Sequence, residues 1–446
     1  MKNRLRLITA ACILATGCVT QAQEKSPKDG SVSRAEYDKL TAEHEQLKQQ
    51  MAEMQAQMRQ VMTPRPAPVA EAPPDHKQVA SAQTGIEELT QEVDELKRQV
   101  HETFPGLTKV LLTGYASAGF TARSGSDPSF NAAFNPILLW KMSDRLIFEG
   151  ELELQLEGGD TTVALELAQV SYLLNGYMTV GVGKFLNPTN SFVERQHMAW
   201  TNKFPDKPLA VYDGLLPETE LGAQLRGVIP IGPTKIEYAV FIANASQLMT
   251  RPDDVSGAGT LGFDNFDNKD GHIAYGAHVG FIPFPELEIG YGFQRSTVGP
   301  RNQAVHAMLQ SADLSYVRDS ELLKGLINFR AQWVWSGIDG FTYDADGSQG
   351  FGPLTFSNRR NGGYVQLAYR PTKFGNDIVK NFEPVLRYDV LNQGNTPVGF
   401  DETRFSIGLD YWIGPSTVVK AAYEIDHQNG IGKNQNALLL QVAVGF

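Results

Sequence analysis

The sequence predicts an all-β transmembrane barrel of about sixteen antiparallel strands, preceded by an α-helical coiled-coil stalk. Three observations predict it. From Leu107 onward, apolar and polar residues alternate in one segment after another, the period of strands with one apolar face. No run approaches the roughly 20 apolar residues that a membrane helix needs, which leaves either a soluble chain or a barrel. The chain also stops on "NALLLQVAVGF", in which Leu438, Leu440, Val442, Val444 and Phe446 share one parity. Termini tend to fray, whereas a closed sheet must tie down its last strand to remove the open edge.

The elements follow in order. In "MKNRLRLITAACILATGCVTQAQE", Lys2, Arg4 and Arg6 precede a short apolar run and a small-residue cleavage site ending at Ala22. Residues 1–22 therefore read as a secretory signal peptide. A second reading stays open, because "ATGC" ending at Cys18 resembles a lipoprotein box, although Ala15 stands where leucine is usual. Cys12 and Cys18 are the only cysteines, so the mature chain is expected to have no disulfide and no thiol chemistry.

Residues 23–63 are expected to form a coiled coil. Tyr37, Leu40, His44, Leu47, Met51, Met54, Met58 and Val61 step by three and four, as a heptad seam does. Ser33 and Glu36 have capping-box spacing at its start. His44 on the seam reads as a polar, register-setting position. Residues 64–84 are a Pro/Ala-rich linker, opening on "PRPAPVAEAPP", whose prolines cannot continue a helix. A second heptad segment, 85–104, carries Ile86, Leu89, Val93, Leu96 and Val100. One helix cannot bury such a stripe by itself, so the stalk implies an oligomer, with a fold-back hairpin as the alternative.

Residues 107–446 make the barrel. The strands are expected near 108–122, 132–142, 146–157, 162–174, 177–186, 221–231, 235–244, 272–283, 286–295, 304–316, 326–336, 363–371, 382–391, 404–413, 416–426 and 437–446. Short connections such as "MSDR", "PIGPT", "PFPE" and "WIGPS" are turn chemistry. They alternate with long ones at 186–220, 244–271 and 336–362. An even strand number with short turns at one end and long loops at the other is the pattern of bacterial outer-membrane barrels. The stalk then lies at the short-turn end, which is the periplasmic side. Trp140, Tyr177, Tyr291, Trp333, Trp335, Tyr369, Tyr411 and Trp412 are candidates for interfacial girdles.

The wall chemistry follows from parity. In "LIFEGELELQLEGG" the apolar residues take one parity and Glu149, Glu151, Glu153 and Glu157 the other. A charge facing lipid costs about 2–4 kcal/mol at the midplane, so these glutamates are expected inside, with Glu166 joining them. The same reasoning sends Arg226, Arg330, Arg370, Arg387, Arg404 and Lys420 inward, and it expects acids and bases in different sectors of the wall. The connection 186–220, with Trp200, Phe204, Pro205, Pro208, Leu215 and Leu216, is too apolar for a solvated tip. It either enters the barrel and narrows it, or caps the surface.

"GKFLNPTNSFVERQHMAWTNKFPDKPL", followed by "YDGLLPETELGAQLRGVIPIG", resembles the family of phosphate-selective porins O and P. The resemblance is carried by Gly183–Phe185, the Asn-Pro turn and the "LGAQLRG" strand. The stalk is similar to that of trimeric porins with a periplasmic coiled coil, some of which take up dicarboxylates. The resemblance implies a homotrimer in outer-membrane lipid, passing small hydrophilic anions such as phosphate or carboxylates. It also implies that Phe446 is the C-terminal signal read by the barrel-assembly machinery. A dense ladder of pore-facing bases, as in phosphate-selective members, is not evident.

There is no HExxH, no His/Cys cluster at ligand spacing and no GxSxG elbow, so no catalytic, metal or cofactor site is expected. "GVGK" at Gly181–Lys184 reads as a glycine-bearing strand. The net charge of −11 argues against nucleic acid as a partner. The rival to a porin is a structural envelope protein whose stalk binds peptidoglycan and whose barrel is only an anchor. A siderophore-type receptor would need a globular plug domain before the barrel, and none is read.

Overall fold

The computed structural model describes residues 109–157, 160–212, 214–250, 257–263, 266–301, 303–343, 352–393, 401–429 and 434–446. The expected signal peptide, both heptad segments and the linker lie outside them.

The strands are Val110–Arg123 (β1), Ser129–Lys141 (β2), Leu146–Glu157 (β3), Asp160–Asn175 (β4), Met178–Leu186 (β5), Thr219–Ile231 (β6), Thr234–Asn244 (β7), Gln247–Leu248 (β8) and Leu261–Gly262 (β9). They continue with Ile273–Phe284 (β10), Leu287–Thr297 (β11), His306–Ser320 (β12), Gly325–Tyr343 (β13), Leu354–Arg370 (β14), Phe382–Asn392 (β15), Glu402–Gly414 (β16), Thr417–Gln428 (β17) and Gln435–Gly445 (β18). β8 and β9 pair only with each other; the other sixteen close into one antiparallel barrel. All sixteen expected strands are present. The hairpin β13–β14 is longer than its sequence suggests, pairing as far as Tyr343 with Leu354. There Tyr343 packs on Phe356 across the strands at a ring distance of 4.8 Å and meets Phe341 of its own strand edge-on at 5.0 Å, so an aromatic pair extends the ladder through a stretch whose Gly and Asp content reads as loop.

Alternation sorts the two faces. On β18, Leu438, Leu440 and Val442 are exposed on the outside, while Ala437, Leu439 and Ala443 are buried inside. On β16, Phe405, Ile407 and Leu409 face out, and Arg404, Ser406 and Asp410 face in. An apolar exterior around a polar interior inverts a soluble protein and suits a hydrocarbon solvent. Trp140, Tyr177, Tyr291 and Trp335 are exposed with the outer face. Trp412 is not a girdle residue: it is buried inside, and its Nε1 donates to Glu383 Oε2 at 2.6 Å.

Closure joins β1 to β18 from Tyr115–Gly445 to Arg123–Ala437. Phe446 extends this seam. Its N–H donates to Gly114 O at 3.0 Å and its carbonyl accepts from Gly114 N at 3.2 Å. Its ring stacks on Phe134 at 5.7 Å and is otherwise open to the surroundings. Phe446→Ala keeps the backbone pair and loses only the ring contact. It is expected to destabilise the folded barrel by about 1 kcal/mol, while deleting Phe446 costs more; urea unfolding in lipid vesicles checks the order.

Candidate functional site

The connection between β5 and β6 lies inside the barrel. Its entry is set by Asn187, whose Oδ1 accepts from Thr189 N at 2.8 Å. Asn190 then caps a six-residue helix, Ser191–Gln196 (α1), through Val193 N. Apolar residues that would be costly at a solvated tip find a core here. Phe192, Val193, Ala210, Val211, Leu215 and Leu216 pack on the inward-facing Leu309, Val334, Tyr364 and Leu391. Phe204 packs on Ala368, Val385 and Leu439. The opposite wall also receives the loop's polar groups. Gln332 Oε1 accepts from Phe192 N at 3.0 Å, and Ser311 Oγ donates to Thr189 O at 2.6 Å. The surface-cap reading of this segment therefore gives way to the inserted one.

Ions fasten the loop at both ends. Arg195 meets Glu288 at 2.6 Å and Glu237 at 3.0 Å, and Arg226 meets Glu194 at 2.8 Å. Burial disfavours the Arg195 charge, but Glu288, Glu237 and Glu194 outweigh it, so its pKa stands above the ordinary arginine value. Further along, Lys203 meets Glu383 at 2.8 Å. Lys420 donates to Ala199 O and Asn202 O, and Arg387 to Asp206 O at 3.0 Å. Arg387 also lies over the Phe204 ring at 4.7 Å.

The loop thus covers the wall of β12–β18 and leaves open space toward β1–β6. A cavity of about 1550 Å³ is lined there by Glu153, Glu166, Lys184, His197, Asp206, Lys207, Glu218, Arg360 and Arg404 among others. Gly183, also in this lining, has φ +130°, and a Cβ at that position would lie 2.0 Å from Ala168 O; only glycine fits the strand there. A smaller cavity of about 370 Å³ is lined by Glu149, Gln169, Glu194, Arg195, Arg226 and Glu237.

The residues singled out in the sequence end up in different settings. Glu153, Glu166 and Arg404 line the larger cavity, and Glu149 and Arg226 the smaller. Glu151 is buried, 3.6 Å from His197 Nε2. Glu157 is the last residue of β3, and its side chain lies outside the described residues. Arg387 and Lys420 are on the inner face but are covered by the loop, which they brace. Arg330 donates to Asn328 Oδ1 at 3.2 Å, and Arg370 lies over the Trp412 ring at 5.1 Å.

The expected sectors of opposite sign do not form on β15–β17. Arg387 pairs with Asp389 at 2.8 Å and Arg404 with Asp426 at 2.6 Å, with Glu424 beside both. Parity alone sets Asp389 beside Arg387, two residues along β15, whereas the register of the next strand placed Asp426 opposite Arg404.

Sequence reading missed Lys184, Lys207 and Arg360. Arg360 shares its parity with Asn358, Gly362, Tyr364 and Gln366, and the signal was there once β14 is begun early enough. Arg330, Arg360 and Arg370 all face inward from β13 and β14. Among the described residues none of the three has a carboxylate at salt-bridge distance.

No protein-family model matches the chain, and no curated protein matches it. Among solved structures the chain is similar to OmpF of Salmonella typhi, in complex with daunomycin, at TM-score 0.50 and 9% identity over 76% of this chain and 97% of that one. It is similar to the outer membrane channel DcaP of Acinetobacter baumannii at TM-score 0.50 and 11% identity, again over 76% of this chain and 97% of that one. At such identities the likeness shows the fold, a sixteen-stranded barrel as in outer-membrane porins.

Proposed function

We propose that this chain is an outer-membrane porin, a passive channel for small hydrophilic solutes. One observation carries the reading: a loop braced inside a lipid-suited barrel leaves a cavity of about 1550 Å³ lined by charged side chains. A barrel serving only as an anchor for an envelope tether needs no such space, and the fold shared with the channel DcaP agrees with the porin reading. The short-turn end and the stalk face the periplasm, the stalk's heptads join a homotrimer, and Phe446 presents the assembly signal. No reaction is involved.

The finer reading is a preference for anions, phosphate or carboxylates. Its support is the three arginines that have no carboxylate partner among the described residues. Arg360 and Arg370 are ten residues apart on β14, roughly 33 Å along a strand, and Arg330 is level with Gln366 between them. Arg360 lines the larger cavity and offers an anion a contact there, and Arg330 and Arg370 add positive potential to the same wall. The pairing of Arg226 and Arg387 with carboxylates removes them from this role.

The test is single-channel recording of the purified full-length protein in a planar bilayer. Discrete, long-lived current steps grouped in threes are expected. Folded protein that inserts without conducting would leave only the tether.

A further inference from the structure

Two arginines interrupt the apolar outer face. On β11, Ile289, Tyr291, Phe293 and Arg295 share the outward parity, opposite to Gln294, which bonds Asn187 of the inserted loop. On β14, Arg359 shares the outward parity of Val365 and Leu367, opposite to Arg360 of the cavity wall. Both arginines are exposed, and neither has an ion pair or a hydrogen bond among the described residues.

Register sets them on one row of the sheet. Arg295 lies opposite Met308, Met308 opposite Gly337 and Gly337 opposite Arg359. Three strand spacings, roughly 14 Å, separate the two arginines. Gly337 leaves the surface between them open: a Cβ there would meet only Met308 O, at 3.8 Å. Asp339, two residues beyond Gly337, faces His306 Nδ1 at 3.1 Å. Tyr275 is exposed and extends the row, opposite Arg295. On the short-turn side of the row lie the exposed Tyr291, Trp335 and Val365. Ten residues of β14 separate Arg359 from Tyr369, whose hydroxyl donates to Leu323 O in a short turn. At a strand tilt of about 40°, ten residues climb about 25 Å, the height of the apolar band. Arg359 therefore stands at the interface on the long-loop side, which in an outer-membrane barrel meets the outer leaflet.

We propose that Arg295 and Arg359, with Tyr275, bind the phosphorylated headgroup of an outer-leaflet glycolipid. The outer leaflet of such a membrane is built on a disaccharide that carries a phosphate at each end. A guanidinium takes a phosphate through two parallel N–H bonds, and two of them on one open row match two phosphates on one headgroup. The acyl chains then lie on Tyr291, Trp335 and Val365 below the row. A free phosphate would use the arginines and leave that apolar floor uncovered, so the occupant is the lipid. The proposal rests on the outer-membrane location and not on conduction.

Titrating the full-length protein in detergent micelles with bisphosphorylated lipid A, read by tryptophan fluorescence, tests this. Saturable binding is expected, at least about tenfold tighter than that of lipid A with both phosphates removed. Arg295→Gln and Arg359→Gln together should weaken the phosphorylated lipid by about tenfold or more. Inorganic phosphate at matched concentration should not displace it; displacement marks a free-anion site and overturns the proposal. Equal binding of the two lipids by the unaltered protein, which needs no variant to fold, overturns it as well. So does lipid A binding unchanged in a folded double variant. A conducting protein that does not discriminate the lipids sinks this site and leaves the porin, whereas a discriminating protein that does not conduct sinks the porin and leaves the site.

Discussion

Replacing Arg330, Arg360 and Arg370 together by alanine is expected to move the zero-current potential in a salt gradient toward cation preference. A unit charge about 5 Å from a passing ion in a water-filled lumen is worth about 0.8 kcal/mol, roughly a fourfold preference at that point. The three positions follow one another along β13 and β14. Their effects act in series and do not multiply. A fall of about fourfold in the anion-to-cation permeability ratio is therefore the expected size. Near 0.1 M salt the screening length is about 10 Å, and it shrinks to about 3 Å at 1 M, so the shift should fade as salt rises. Arg387→Ala is the contrasting variant. Arg387 is covered by the loop and pairs with Asp389, so its loss should disturb stability rather than selectivity. A wild-type pore that prefers cations, with no change in the triple variant, defeats the anion assignment.

Deleting residues 195–210 is expected to raise conductance on the order of threefold, because a sixteen-stranded barrel freed of its insert encloses a wide aqueous channel. Selectivity should move as well. The deletion removes Arg195, Lys203 and Lys207 against one acid, Asp206. It also uncovers Arg387 and Lys420 beside Glu383, Asp389, Asp410 and Glu424, two cations against four carboxylates. Both changes favour cations. The recording must be made on assembled protein, since the insert supplies Phe204 and much of the packing around Leu309, Val334 and Tyr364. Unchanged conductance in an assembled variant would mean that the insert does not limit the current.

The barrel itself was legible in the sequence. A strand's two faces alternate with period two, and lipid tolerates only apolar residues, so the pattern of β16 or β18 states both the element and its orientation. The turn residues, the terminal Phe446 and the inward parity of Arg330, Arg370 and Arg404 follow from the same local rule. That the connection after β5 could not remain in water was legible too, from Trp200, Phe204, Leu215 and Leu216.

The partners of each inward charge were not legible. Arg330 and Arg387 have the same parity and chemistry, yet one has no carboxylate partner among the described residues while the other lies sealed between Asp389 and the carbonyl of Asp206. Asp389 stands two positions along the same strand, but the sealing depends on where one loop crosses the lumen, through the contact of Arg387 with Asp206, residues more than a hundred positions apart. The approach of His197 to Glu151 likewise joins that loop to a strand more than forty positions away. Periodicity constrains a residue's direction through its own backbone. Its neighbours across the barrel are set by closure and by the packing of the insert, which only the tertiary structure decides.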